Sequence, residues 1–266
     1  NCIKVNKIKK IKAFFTMYLG GDVNFVDKFY KIKKKHKCLF IEDACHALGA
    51  KYYFKKKIFN VGSCKHSDIS TFSLHPLKSI TSGEGGLVTT NNKNFKIKVD
   101  LFRSHGIVRT KNHWIYDVKK PGLNYRLSDL NCALAYSQLK NIVKIIDKRK
   151  KIYYFYNNIF KKNNFVKINN QSNYSSFHLL IAKFIQKNVN KNSFFKYLLK
   201  NKIYVQQHYI PIYEFEHYNK KIKKINFLGA DKYFSTSFSL PIYYDLSFKQ
   251  IKFIKNVIQN FFNKRK

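Results

Sequence analysis

Two apolar runs bracket a basic helix near the start of the chain, and that order restricts the fold more than any other feature. "KAFFTMY" (12–18) reads as a buried strand. "NFVDKFYKIKKKH" (24–36) sets Phe25, Val26, Phe29, Tyr30 and Ile32 on one helical stripe, with Asn24 as its cap. "CLFIED" (38–43) is a second short strand and ends in two carboxylates. Strand, helix and strand at this spacing form a βαβ unit, whose strands pair in parallel. Sheets of this kind gather ligands beyond the carboxyl ends of their strands. Asp43, at such an end, is therefore the first position with chemical interest.

The pattern continues with strands at "DISTFSL" (68–74) and "GGLVTT" (85–90), and with a helix over 94–106 closed by Gly106. A long helix is predicted from Ser128, which caps it, with Asp129 in the first turn. Its apolar positions run through Leu130, Ala133, Leu134, Leu139, Ile142, Ile145 and Ile146, so it is expected to pass residue 150 and join two domains. Beyond it come a strand at "FHLLIAKF" (177–184), a helix over 190–202, an extended segment at "YVQQHYIP" (204–211) and a closing helix over 247–262. The expected division is an α/β domain at 1–150 and a small α+β domain at 151–266. The Lys/Asn tracts at 161–170 and 186–192 read as surface loops or helix ends.

The formal charge of +38 suggests nucleic acid or an anionic membrane at first sight. The composition argues otherwise. Only Arg103, Arg109, Arg126, Arg149 and Arg265 among the 52 basic residues are arginine, the residue that forks onto phosphate and guanine. Lys, Asn, Ile, Phe and Tyr are inflated together, as an AT-rich coding sequence would make them. An arginine in such a chain marks a place where a planar fork is needed. No apolar run approaches the roughly 20 residues that span a bilayer. Cysteines at 2, 38, 45, 64 and 132 are odd in number and form no C-x-x-C, so a reducing cytoplasm is expected. "NKIKKIKAFFTMYLGG" imitates a signal peptide but leads straight into the α/β pattern. With no initiator Met, the natural N-terminus is expected to be absent.

Two residue types at two strand ends carry the chemistry. Asp43 could hold a cation or a protonated ring nitrogen, or simply cap the next segment of chain. Glu42, Asp43, Cys45 and His46 match no standard zinc or iron spacing, and neighbours on a strand face opposite ways. "HPLKSITSGEGG" (75–86) puts Lys78 after a strand and before Gly83, Gly85 and Gly86, which permit tight turns. A nucleophilic lysine must shed its proton. Taken alone, Lys78 is one more solvated lysine. Paired with Asp43 it offers what pyridoxal phosphate uses: an imine-forming amine, and a carboxylate that keeps the ring nitrogen protonated.

"IEDACHALGA" (41–50), "SDISTFSLHPLKSITSGEGG" (67–86), "LFRSHGI" (101–107), "GLNYRLSDLNCALAYSQL" (122–139) and "VQQHYIPIY" (205–213) together resemble the DegT/DnrJ/EryC/StrS sugar-nucleotide aminotransferases over nearly the whole chain. The resemblance implies the fold type I, aspartate-aminotransferase-like architecture and pyridoxal 5'-phosphate as cofactor. It also implies a homodimer with shared active sites, acting on glutamate and a UDP-linked keto sugar. It leans toward members that aminate C4 of a 4-keto-6-deoxy-N-acetylhexosamine for pseudaminic acid. An aminotransferase for another nucleotide keto sugar and a non-catalytic truncated remnant are the alternatives. By the same resemblance Lys78 bonds the cofactor and moves protons, and Asp43 faces the ring nitrogen. His46 lies beside the ring hydroxyl and Ser73 contacts the phosphate. Asn124 reaches the phosphate of the neighbouring subunit. Arg126 takes an anionic group of donor or substrate, and His208 and Tyr209 lie near the sugar nucleotide. His75 and Glu84 shape the turn. The family's chains are longer at the N-terminal side, where a Gly/Ser/Thr loop and a helix N-terminus bind the phosphate.

Overall fold

The computed structural model describes residues 8–112, 114–219 and 227–264; Cys2 and Arg265 lie outside them. Its contacts divide the chain into two units. The first runs to Ile145 and includes Ser172–Ser176, and the second comprises Ile146–Gln171 and Phe177 onward. The division thus falls at 145/146 rather than 150, and a five-residue strap belongs to the first unit although the second surrounds it in sequence.

The first unit is built on a four-stranded sheet. Strand β1 (Ala13–Met17) pairs in parallel with β2 (Leu39–Asp43) through helix α1 (Val26–His36), as the spacing predicts. Two features differ. Phe15 on β1 is 70% exposed, because β1 is the sheet's edge and nothing described covers that face. Asn24 does not cap α1; Phe25 does, from a left-handed backbone, while the Asn24 amide donates to Asp22 Oδ2. The hairpin of β3 (Lys51–Phe54) and β4 (Lys57–Asn60) turns at Lys55 and Lys56, both at positive φ. Such turns normally call for Asn or Gly, so the sequence gives no warning of it. Strand β5 (Ile69–Ser73) pairs in parallel with β2 and antiparallel with β6 (Gly86–Thr89).

Helix α2 (Lys93–Arg103) ends before Gly106, whose N–H still returns to the Leu101 carbonyl at 2.7 Å. A small hairpin comes next, β7 (Ile107–Arg109) with β8 (Tyr116–Val118). The long helix expected from Ser128 is two helices, α3 (Asp129–Leu139) and α4 (Ile142–Phe160), interrupted at Lys140–Asn141. Ser128 does cap α3, accepting from the Asn131 N–H.

The second unit closes a three-stranded antiparallel sheet over helices. Strand β10 (Leu180–Phe184) is central, between β9 (Val166–Ile168) and β11 (Ser237–Leu240). Strand β9 lies inside a Lys/Asn tract read from sequence as loop; Val166 and Ile168 turn inward while Lys167 stays out. Helices α5 (Lys191–Lys200), α6 (Leu228–Thr236) and α7 (Phe248–Asn263) complete it. Ser247 opens α7 with a capping box formed with Gln250. Arg149, one of the few arginines, is buried, and its guanidinium donates to the carbonyls of Phe177, His178 and Ile242 at 3.1–3.4 Å. Burial lowers its pKa to about 10. No helix among the described residues is long and apolar enough to cross a membrane.

Candidate functional site

The carboxyl ends of β1, β2 and β5 point to one edge of the sheet. Met17 pairs with Asp43, and Asp43 with Thr71, so these three are level where the strands end, with Tyr18 one residue and Ser73 two residues further along the chain. The Ala44 N–H donates to the Thr71 carbonyl at 2.9 Å, which carries the register one residue past the strand. Asp43 remains half-buried, and its Oδ1 accepts the Cys45 N–H at 3.1 Å. That is the capping role open to an aspartate here, and it leaves the carboxylate at the edge.

Lys78 stands on the loop from β5 to β6. Leu74 closes the base of this loop: its N–H donates to Gly85 O and its carbonyl accepts the Ser82 N–H and the Thr81 hydroxyl. Leu74 and Ile80 are buried and anchor the loop from below. The Lys78 N–H donates to His75 O at 2.9 Å, and Ser73 Oγ accepts the His75 N–H at 3.3 Å. Gly85 sits at φ +151, where an added Cβ would meet Ser82 Oγ at 2.6 Å and Leu127 at 3.0 Å. Helix α3 grips the same loop. The Gln138 amide exchanges hydrogen bonds with both backbone groups of Thr81, and the Asn131 amide donates to Ser82 O. Glu84 lies 3.8 Å from His75, in keeping with a turn-shaping role.

Electrostatics link the loop to the strand end. The Cys45 thiol is pushed up to about 11, first by burial and then by its hydrogen bond to Asp43 and the charge of that carboxylate. The positive charge of Lys78 works in the opposite direction on the same thiol. A strand-end anion and a loop cation about 35 residues apart thus act on one sulfur.

His46 is buried beside this edge. Its Nδ1 faces the Gly20 N–H at 3.4 Å, and its carbonyl accepts the Ser176 hydroxyl at 2.5 Å. Gly21, at φ +91, is required there, because a Cβ would lie 1.8 Å from Ser176 Oγ. The strap at 172–176 is fixed further by Asp22, which accepts the Ser172 N–H, and by the Tyr174 carbonyl, which accepts from Lys51. Gly20, Gly21 and Ser176 escape a reading of the sequence. The adjacent glycines were a usable signal in a chain with ten; Ser176, 130 residues from His46, gives none.

Asn124 and Arg126 are exposed on the segment leading into α3. Asn124 pairs with Ser104 in an isolated bridge, and Leu127 packs beside Gly85. Arg126 and Tyr125 line a cavity of about 1530 Å³ with Glu84, Gly85 and Phe102, but neither Lys78 nor Asp43 borders it. His208 and Tyr209 belong to the second unit. His208 Nδ1 lies 2.8 Å from Ser239 Oγ, its carbonyl accepts the Tyr233 hydroxyl, and Tyr209 is 48% exposed.

The model of the DegT/DnrJ/EryC1/StrS aminotransferase family matches residues 2–259. A UDP-4-amino-4,6-dideoxy-N-acetyl-beta-L-altrosamine transaminase of Campylobacter jejuni is 39% identical over 260 residues, covering 96% of this chain and 67% of its own length. The structure of Helicobacter pylori PseC, described as an aminotransferase involved in the biosynthesis of pseudoaminic acid, superposes with a TM-score of 0.89 at 31% identity. It covers 99% of this chain and 71% of that one. The PLP form of a putative sugar aminotransferase from Streptococcus pneumoniae shares the fold, with a TM-score of 0.83 at 23% identity, covering 94% of this chain and 69% of its own. The chain therefore spans about two thirds of the relatives it matches, and its architecture is that of fold type I.

Proposed function

Because the chain belongs to the DegT/DnrJ/EryC1/StrS aminotransferase family, we propose that it passes an amino group from glutamate to C4 of a UDP-linked 4-keto-6-deoxy-N-acetylhexosamine, on the route to pseudaminic acid. The observation that carries this reading is that Asp43, at the end of β2, and Lys78, on the loop after β5, act with opposite charge on the same Cys45 thiol. The residues there fit pyridoxal phosphate. Bound at this edge, the cofactor would supply an aldehyde to receive the amino group and a ring that draws electrons from the reacting carbon.

Asp43 would keep the proton on the ring nitrogen, since a carboxylate facing a pyridinium favours its charged form. Lys78 is the amine that would hold the cofactor's aldehyde and, when free, would act as the proton carrier beside it. His46 would help hold the ring on its hydroxyl side, and Ser73 would contribute to holding the phosphate. Asn124, exposed on the segment leading into α3, would hold the cofactor phosphate of a second copy of the chain. Arg126 takes an anionic group of donor or substrate. His208 and Tyr209 lie near the sugar nucleotide. The bare apolar side chains of α2 and α3 favour a homodimer with shared sites. A cytoplasmic enzyme agrees with the free thiols of Cys38, Cys45, Cys64 and Cys132.

Borohydride reduction in the presence of pyridoxal phosphate, followed by peptide mapping, tests the assignment. The label is expected on Lys78. A label on any other lysine, in a chain this rich in them, sinks the reading.

A further inference from the structure

Glu42 stands one residue before Asp43 on β2 and faces the opposite way. Its carboxylate is fully buried, and four groups converge on it. His66 Nε2 lies at 2.6 Å and Ser67 Oγ donates at 2.8 Å; the hydroxyls of Tyr18 and Ser70 also donate. These donors come from different elements. Tyr18 directly succeeds β1, Ser70 lies on β5, and His66 and Ser67 precede β5. In the sheet Glu42 is level with Thr16 and Ser70. One carboxylate therefore fastens both neighbours of β2 at the residue before Asp43.

His66 makes this fastening directional. It is fully buried, with Tyr52 edge-on at 4.3 Å, Phe40 at 5.3 Å and Phe54 at 5.8 Å. Its Nδ1 has no hydrogen-bond partner among the described residues, and its Nε2 meets Glu42 at 2.6 Å, with the Tyr18 hydroxyl further off at 3.3 Å. Burial works to raise the Glu42 pKa. The hydrogen bond and charge of His66, then the Ser70 and Tyr18 hydroxyls, outweigh it and hold the carboxyl below its usual range. The other titratable side chains facing it are Tyr18 and Tyr52, both pushed up, first by burial and also by the Glu42 charge. Among the described residues Asp43 has no comparable shell: its side chain is met by the N–H and the thiol of Cys45, two residues on. Its placement is inherited from the strand that Glu42 fixes.

We infer that Glu42 and His66 are a positioning pair, which holds Asp43 where its carboxylate can face the cofactor's ring nitrogen. The inference rests on the functional reading above. Neither residue touches the reacting atoms; both act through Asp43. Loosening them lets Asp43 drift, and the ring nitrogen then gives up its proton more easily.

The test tracks protonation of that nitrogen across pH by NMR, with isotope-labelled pyridoxal phosphate bound to the full chain. Glu42→Gln keeps the shape and loses the charge. Its ring-nitrogen midpoint is expected to fall by about one pH unit or more, a tenfold change in proton affinity. His66→Phe is expected to do the same, while His66→Gln, which retains a donor, restores part of the shift. Ile258→Val, which loosens the core of the second unit, is expected to leave the midpoint unmoved. A Glu42→Gln chain that binds the cofactor and titrates like the unmodified one overturns the proposal. If Glu42→Gln does not fold, the His66 pair decides: identical titration of His66→Phe and the unmodified chain overturns it equally. An unmodified chain that takes up no cofactor overturns the functional reading itself, and the positioning role with it.

Discussion

Helix α7 of the second unit buries Ile251, Ile254, Val257, Ile258, Phe261 and Phe262, whereas α2 and α3 of the first unit bury nothing. Leu130 on α3 is 84% exposed and Ile97 on α2 is 55% exposed. The shorter unit thus holds the larger continuous apolar core. Phe184, Phe194, Phe238 and Phe262 pack ring against ring at its centre. The first unit uses its interior differently. Beside a smaller core it buries Glu42, His66, Ser67 and Ser70 under the sheet edge that carries Asp43. Buried polar groups add little net stability, but when satisfied they specify one arrangement. The contrast teaches that stability and chemistry are carried by different parts of this chain.

The largest effect expected from that contrast is on activity without stability. Lys78→Met should lower amino transfer at least about a thousandfold, the range of a lost proton carrier, with thermal unfolding unchanged. A parallel loss of folding would break the separation between the units. Next comes stability. Phe194→Ala in the second core should cost about 3–5 kcal/mol, read by urea denaturation. Borohydride labelling of Lys78 in the folded fraction should persist.

A sharper probe lies within the first unit. Cys45, with its pKa near 11, should alkylate slowly at neutral pH and faster as pH rises toward that value, while exposed Cys132 reacts first. Asp43→Asn removes the charge that adds to burial in raising this pKa and should speed the Cys45 reaction; Lys78→Met removes the opposing charge and should slow it. Mass-spectrometric alkylation rates check both directions, and equal rates would separate Asp43 from Lys78. The smallest effect is at the α7 cap, where Ser247→Ala should cost about 1 kcal/mol with no change at the first site.

Much of this was legible in the residues. The βαβ start needed only two apolar runs and a helical stripe, and the capping serine at 128 announced the start of α3. Asp43 and Lys78 stood out because a carboxylate and an amine at neighbouring strand ends have joint chemistry. Other features had no local signal. Nothing in Lys55–Lys56 marks a turn, since lysine has no preference for positive φ. The break at 140–141 interrupts a pattern whose apolar spacing continues across it. The Glu42–His66 pair joins residues 24 apart that no periodicity relates.

By itself, then, the sequence determined the opening strand–helix–strand unit, the strands around the Lys78 loop and the closing helix, and which side chains could bear charge at the strand ends. Those depend on period, capping and residue type, all short-range. Only the tertiary structure decided that Ser176 meets His46, that β1 leaves Phe15 bare, and that four donors meet on Glu42. Such contacts depend on chain closure over tens of residues, and burial, not local preference, sets their energy.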